Sequence, residues 1–234
     1  MAIEKGSLPL ASTGNPVWED IQLRTRSVDG KHRYAIQVVC DHSGTIFYAA
    51  QGDWDEAYED ACNFVSRNFG HAVAEPYDFI IAVVYPPLDR NLYQLQKSFE
   101  NVAVCVREGG AILVVAGCQD GVGDDRFVKL ARLSEDERTK VLQTGDHTMG
   151  IHKVVRTKRL AEKQRLYLVA TLKDSDLRPL PISLRHELGP AVNELTGIYG
   201  SRSKIAVVLD SASQVLHQKA RKAQPKETKE KRHA

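Results

Sequence analysis

Residues 77–84, YDFIIAVV, form an apolar, β-branched run without alternation of polar and apolar positions. Successive side chains of a strand point to opposite faces of a sheet, so this pattern fits a strand covered on both faces. Pro86-Pro87 ends the run. Three more stretches have the same character: residues 111–116 (AILVVA), 165–171 (RLYLVAT) and 204–209 (KIAVVL). Helical spacing fills the intervals. Asn91 is placed to cap a helix whose apolar positions are Leu92, Leu95, Phe99, Val102, Ala103 and Val106, with Gly109-Gly110 as its end. Residues 124–133, 134–143, 149–163 and 187–199 also read as helices, Ser134 and Glu137 having capping-box spacing, whereas 172–186 reads as loop. Four buried strands separated by helices predict an α/β fold, a mostly parallel sheet flanked by helices.

Upstream the pattern differs. A short helix is expected over 18–25, then strands over 33–40 and 45–50 joined by the turn Asp41-His42-Ser43-Gly44. Asp53, with Glu56 three positions on, opens a helix that Gly70 closes. The expected organisation is an N-terminal β-hairpin-plus-helix subregion over 1–75, the α/β domain over 76–212 and a basic, disordered tail over 213–234.

The 234 residues are 42% apolar and 26% charged, enough to bury a core. The net charge of +2 is uneven. Residues 218–234 hold seven Lys/Arg and two Glu, leaving 25 basic and 28 acidic residues in the body. The body is therefore no basic nucleic-acid surface, and nucleic acid is expected at most as a weak contact of the tail. Cys40, Cys62, Cys105 and Cys118 include no Cys-x-x-Cys pair. The N-terminus lacks a signal-peptide pattern, and the longest apolar stretches, 79–87 and 111–117, fall far short of the roughly 20 residues of a membrane span. A cytoplasmic protein without membrane contact is the expectation.

Ligands of open α/β sheets bind beyond the carboxyl ends of the strands. Two loops qualify, 85–91 (YPPLDRN) and 117–125 (GCQDGVGDD). Past the first, Gln94 and Lys97 share a helix face near the helix's positive end, where free backbone N–H groups, an amide and an ammonium would suit a carboxylate. The same residues have a plainer reading: Gln94 closes a capping box on Asn91 and Lys97 points into water. The second loop is neither G-x-G-x-x-G nor a Walker sequence, and Asp120, Asp124 and Asp125 would repel a phosphate. It is either a ligand-approach loop or a tight turn with Asp124 as N-cap. Cys118 has no identifiable base beside it. His147 and His152 flank Gly150, but a metal site there would need further ligands.

Taken in order, these segments resemble the C-terminal half of the nickel-dependent lactate racemase family. The matching pieces are Gly14-Asn15-Pro16-Val17-Trp18-Glu19-Asp20, the strand at 77–82, residues 87–97 and 108–116, Gly117-Cys118-Gln119-Asp120-Gly121-Val122-Gly123 and Gly150-Ile151-His152-Lys153. The most specific is Asp-x-Asn-Leu-Tyr-Gln-x-x-Lys, running from Asp89 to Lys97. The resemblance implies a two-lobed system that interconverts enantiomers of 2-hydroxy acids, with a nickel-pincer nucleotide taking the hydride and paired histidines moving the proton. Carried over by position, Gln94, Lys97, Tyr93 and Asp89 bind substrate, and Gly117, Cys118, Gly121 and His152 are loop contacts. No catalytic and no metal-ligating residue is assigned. The lobe that supplies the histidines and the cofactor lysine has no counterpart here, Val84 and Tyr85 replace a Gly-Gly pair of many relatives, and Trp18 stands where some relatives have a nickel-binding His. The expectation is a substrate-binding lobe with no cofactor of its own, partnered by a separate N-terminal racemase lobe and a small 2-hydroxy acid. The alternative is a non-catalytic organic-acid-binding or scaffold module.

Overall fold

A computed structural model describes residues 14–28, 33–144 and 150–218. The α/β expectation holds. Five strands form one fully parallel sheet: β4 (Tyr77–Val83), β5 (Val106–Val115), β6 (Arg165–Val169), β7 (Ile182–Arg185) and β8 (Ile205–Val208), in the order β7-β6-β5-β4-β8. Preceding them are α1 (Pro16–Val28), β1 (Tyr34–Cys40), β2 (Ile46–Asp53), α2 (Trp54–Phe69) and β3 (Gly70–Val73). The helices of the sheet region are α3 (Leu92–Ala103), α4 (Asp125–Arg132), α5 (Glu135–Gln143), α6 (Ile151–Lys163), α7 (Asp174–Leu177) and α8 (Leu188–Tyr199), and β9 (Val215–Gln218) ends the described chain.

The two sheet faces are filled separately. Ile80, Ile112, Val114, Leu166 and Leu168 pack under Leu95 and Phe99 of α3, Phe127 of α4 and Val154 of α6. The alternate residues Phe79, Ala111, Leu113 and Tyr167 meet Ala191 and Leu195 of α8. This is the period-2 consequence of strands with apolar residues at every position.

Five sequence expectations differ from the structure. Val106 does not belong to α3, which stops at Ala103; it opens β5 instead. Gly109-Gly110 is not a helix end but an irregularity within that strand, where the register against β4 jumps from Tyr77↔Val106 to Phe79↔Ala111. Gly109 takes φ +72, and a Cβ on Gly110 would lie 2.6 Å from both the Asp78 carbonyl oxygen and Val106 Cγ1. Residues 172–186 are not all loop, since they contain α7 and the strand β7. The run at 204–209 is not buried on both faces: it is the sheet's edge strand, with Ile205 41% and Val207 60% exposed. Beyond 212, where the basic tail is expected to start, β9 pairs in parallel with β3 through Gly70↔Val215 and Val73↔Gln218. Residues 219–234 lie outside the described residues.

The N-terminal subregion forms as read. Asp41 accepts hydrogen bonds from the amides of Ser43 (2.8 Å) and Thr45 (2.9 Å), closing the antiparallel β1–β2 hairpin. Asp53 caps α2 by accepting from the Asp55 amide at 2.9 Å. The hairpin turn reaches the end of the main sheet, where the His42 ring meets Tyr85 edge-on at 5.4 Å and Nδ1 lies 3.6 Å from the Asp210 carboxylate.

The crowding around Gly110 yields a stability prediction. Gly110→Ala should lower thermal stability by about 2 kcal/mol, several degrees in Tm, as backbone and Val106 are pushed apart. An unchanged melting curve would show that the strand irregularity gives way freely.

Candidate functional site

The candidate residues gather at the carboxyl edge of the sheet. Loop 84–91 leaves β4 and loop 116–124 leaves β5, and the two are laced together by main-chain hydrogen bonds. The Cys118 amide donates to the Asp89 carbonyl (2.8 Å), Asp120 to Arg90 (2.8 Å), Leu92 to Gly121 (3.2 Å) and Tyr93 to Val122 (3.1 Å). Arg90 grips the Asp120 carboxylate at 2.7 and 3.1 Å, and Thr171 Oγ1 donates to the Gly117 carbonyl at 2.8 Å. Gly123, at φ +88, lies so close to Asn91 that a Cβ would sit 2.5 Å from its Cγ. Asn91 in turn caps α3, its Oδ1 accepting from the Gln94 amide at 2.9 Å.

The first N–H groups of α3 are not free for a carboxylate, because Gly121, Val122 and Asn91 already occupy them. Any acid held here must be held by side chains. The aspartates of the second loop are neutralised internally: Arg90 holds the Asp120 carboxyl below its ordinary range, and Arg126, whose Nε lies 3.1 Å from Asp124, does the same there. Asp124 is the N-cap of α4, accepting from the Arg126 amide at 2.9 Å, so its tight-turn role is present. Cys118 is buried, and burial with the nearby Asp89 pushes its thiol up to about 12, which keeps it protonated and a poor nucleophile. Asp89 turns Oδ2 toward Gly117, while Oδ1 is buried without a hydrogen-bond partner among the described residues.

Gln94 is half-buried and Lys97 exposed, one turn apart on α3. Among the described residues the Gln94 side-chain amide has no hydrogen-bond partner and Lys97 no ion pair. Glu100, three residues on from Lys97, is held by Arg156 at 2.9 Å and by Gln96 at 2.5 Å. Tyr93 is half-buried, its ring edge-on to Phe127 at 5.8 Å and close under Gly150, the N-cap of α6. His152 is half-buried in the first turn of α6, and burial together with Lys153 and Arg156 pushes its imidazole below its ordinary range. His147 lies outside the described residues.

One residue escaped the sequence reading. Lys153 is only 7% exposed; its Nζ donates to the Tyr93 carbonyl at 2.5 Å and stands 3.9 Å from the centre of the Tyr93 ring. Burial first, then the neighbouring Lys97, pushes its ammonium down to about 8. Lysine is normally a surface residue and periodicity gives no hint of such a site. The only signal was its place in the matching piece Gly150-Ile151-His152-Lys153.

Trp18 lies flat on Tyr58, ring centres 3.7 Å apart, so the position implied for a nickel ligand is filled by an aromatic stack with no donor. Among the described residues no three His, Cys, Asp or Glu side chains converge as a metal site. The donor set here does not fit a nickel cofactor. Val84 is buried in the core and Tyr85 is covered by His42, so neither leaves the open backbone of a Gly-Gly pair.

Residues 76–216 match the Lactate racemase C-terminal domain family. The chain belongs to this family. It is 27% identical over 222 residues to the lactate racemase of Thermoanaerobacterium thermosaccharolyticum, covering 90% of this chain and 51% of that protein. It is 26% identical over 221 residues to the lactate racemase of Lactiplantibacillus plantarum, covering 89% and 51%. The chain therefore spans about half the length of these curated relatives. In fold, the lactate racemase apoprotein of T. thermosaccharolyticum superposes with a TM-score of 0.75 at 24% identity, over 87% of this chain and 50% of that one. A Thermotoga maritima protein superposes at 0.60 and 12%, over 88% and 54%. No described helix is long and apolar enough to cross a membrane.

The family-matching segment includes Lys153, whose burial has a consequence for stability. Its folded value of about 8 lies below the unfolded 10.5, so between those values the unfolded chain holds a proton that the folded chain has shed. The penalty is full below about pH 8 and fades as pH rises. Chemical denaturation should show wild type gaining on the order of 1–3 kcal/mol relative to Lys153→Met between pH 7 and pH 9.5. Parallel pH profiles for the two proteins would refute this.

Proposed function

We propose that this chain is the substrate-binding lobe of a 2-hydroxyacid racemase or epimerase system. The observation that carries the reading is the pair Gln94 and Lys97, without partners among the described residues and one turn apart at the carboxyl edge of a parallel sheet. A carboxylate accepts hydrogen bonds only, so an amide N–H and an ammonium, both donors, are matched to it. Family membership supports the substrate class, since the two curated relatives are lactate racemases.

The role of this chain is then to bind and orient the acid. The nickel-pincer nucleotide, when bound elsewhere in such a system, supplies hydride transfer; the residues described here offer it no site. The proton-transfer groups on both faces of the substrate would come from the other half of a racemase-type protein. The N-terminal subregion supports a covering partner, because Tyr34, Ile36, Val38, Ile46 and Phe47 are between 46% and 67% exposed. A second reading, a non-catalytic organic-acid-binding or scaffold module, is favoured by the Trp18–Tyr58 stack in place of a donor. The two part on one measurement: whether a cofactor-loaded N-terminal half of a lactate racemase, mixed with this chain, makes lactate lose its optical rotation.

Binding itself is tested first. Titration calorimetry of the chain with D- and L-lactate should show saturable binding that Gln94→Ala and Lys97→Ala each weaken at least about tenfold, the loss of one charge-assisted hydrogen bond. The same affinity in wild type and both variants would remove these residues from the site.

A further inference from the structure

Lys153 is the buried titratable group that the binding of an acid by Gln94 and Lys97 leaves unused. We propose that Lys153 is a positioning residue for the acid site: it clamps Tyr93, sets the direction in which Gln94 and Lys97 project, and adds a second positive charge behind Lys97. The inference rests on the proposed acid-binding reading of α3 and goes beyond it in assigning a role on a different helix.

Three observations carry it. The clamp acts on main chain and side chain of one residue, with Nζ 2.5 Å from the Tyr93 carbonyl oxygen and 3.9 Å from its ring centre. In helical geometry the carbonyl of residue 93 also receives the amide of residue 97, so the clamped group is the hydrogen-bond partner of Lys97 itself. The ring is fixed from its other sides by Phe127 and by Gly150, whose Cβ would touch Tyr93 Cε2 at 3.4 Å. Tyr93, directly before Gln94, is therefore immobilised by α4 and α6 together.

The second and third observations are the burial of Lys153 and the charges around it. Lys153 is 7% exposed, too buried to touch a ligand in solvent, and its task could be met by an apolar side chain if only space needed filling. The groups that face it are Tyr93, Lys97 and Glu100 from α3, and His152 and Arg156 from its own helix. Of these, Glu100 is the one carboxylate, and Arg156 and Gln96 already hold it. Lys97 therefore repels Lys153 more strongly than Glu100 attracts it, and among the described residues neither lysine has an ion pair. An acid arriving at Lys97 supplies an anion, relieves the repulsion and favours the charged form of Lys153. Binding should then be coupled to uptake of a proton, which a merely structural clamp would not produce.

The experiment is titration calorimetry of the full chain with L-lactate and with D-lactate, at pH 7, 8 and 9, in buffers of different ionisation enthalpy. Wild type should take up a fraction of a proton near pH 8, and its affinity should fall severalfold from pH 7 to pH 9, because the ammonium is lost above about 8. Lys153→Met should bind lactate about tenfold more weakly and show no such uptake. Lys153→Met with wild-type affinity and wild-type uptake, while Lys97→Ala still weakens binding, would overturn this inference and leave the acid site standing. Lys97→Ala and Gln94→Ala without effect, or no lactate binding by wild type, would overturn the acid site and this inference with it. If Lys153→Met does not fold, NMR titration of the lysine side chains of wild type decides alone. A resonance titrating near 8 that moves upward with lactate supports the assignment, and its absence overturns it.

Discussion

The beginning of α3 is set by another loop. Leu92 and Tyr93 give their amides to Gly121 and Val122, and Asn91 caps the next one while pressed against Gly123. Helix starts ordinarily leave such donors to water or to a ligand. Here they are consumed within the protein, with two effects. The axis and rotation of α3 are fixed whether or not a ligand is present, which lowers the ordering cost of binding. The helix end also loses its use as an anion nest, so in the proposed function recognition of an acid would fall to the side chains that the helix carries.

Those side chains sit in an unbalanced field. Lys97, Lys153 and Arg156 surround a single carboxylate, Glu100, and Arg156 takes it. A buried ammonium is tolerated only with close polar partners, and Lys153 finds them in a carbonyl oxygen and the face of a tyrosine ring. Neither carries a full negative charge. The free protein thus holds two ammonium groups in mutual repulsion, and this electrostatic cost is the kind that a bound anion removes. Buried lysine and exposed lysine are best regarded as one unit, in which the first orients the second and shares its charge.

Much of the architecture was legible because it is written in apolar continuity. The runs in β4, β5 and β6 permit only strands with both faces covered, and Asn91, Asp124 and Ser134 cap helices at the positions their spacing indicates. What escaped is non-local. The four residues of β7 follow Pro181 and alternate in burial, so their strand character appears only beside Leu166 and Leu168. β3 and β9 are each four residues long and exist through pairing across more than 140 positions of sequence. Val106 continues the helical spacing of α3 by coincidence, and only the packing of Gly110 against Asp78 shows that the strand has begun. The site was legible as residue types but not as partnerships: nothing in the spacing of Lys97 announces that Glu100 is already engaged, or that Lys153 lies across the ring of Tyr93.

The N-terminal hairpin poses the opposite problem to the core. Ala35 and Ala50 lie against Ala57 of α2 with Tyr48 and Trp54 packed beside them, Tyr48 stacking on Phe64 of α2 at 4.4 Å, whereas Tyr34, Ile36 and Val38 are exposed. An isolated hairpin gains most by turning its large apolar side chains toward its own helix. This one turns Tyr48 inward but leaves Tyr34, Ile36, Val38, Ile46 and Phe47 largely exposed. Such a distribution makes physical sense where a further layer covers the outer face. The turn of the same hairpin touches Tyr85 and Asp210 at the carboxyl edge of the sheet, so the partner lobe of the proposed function, seated on the hairpin, would be brought to the end of the molecule where α3 presents Gln94 and Lys97.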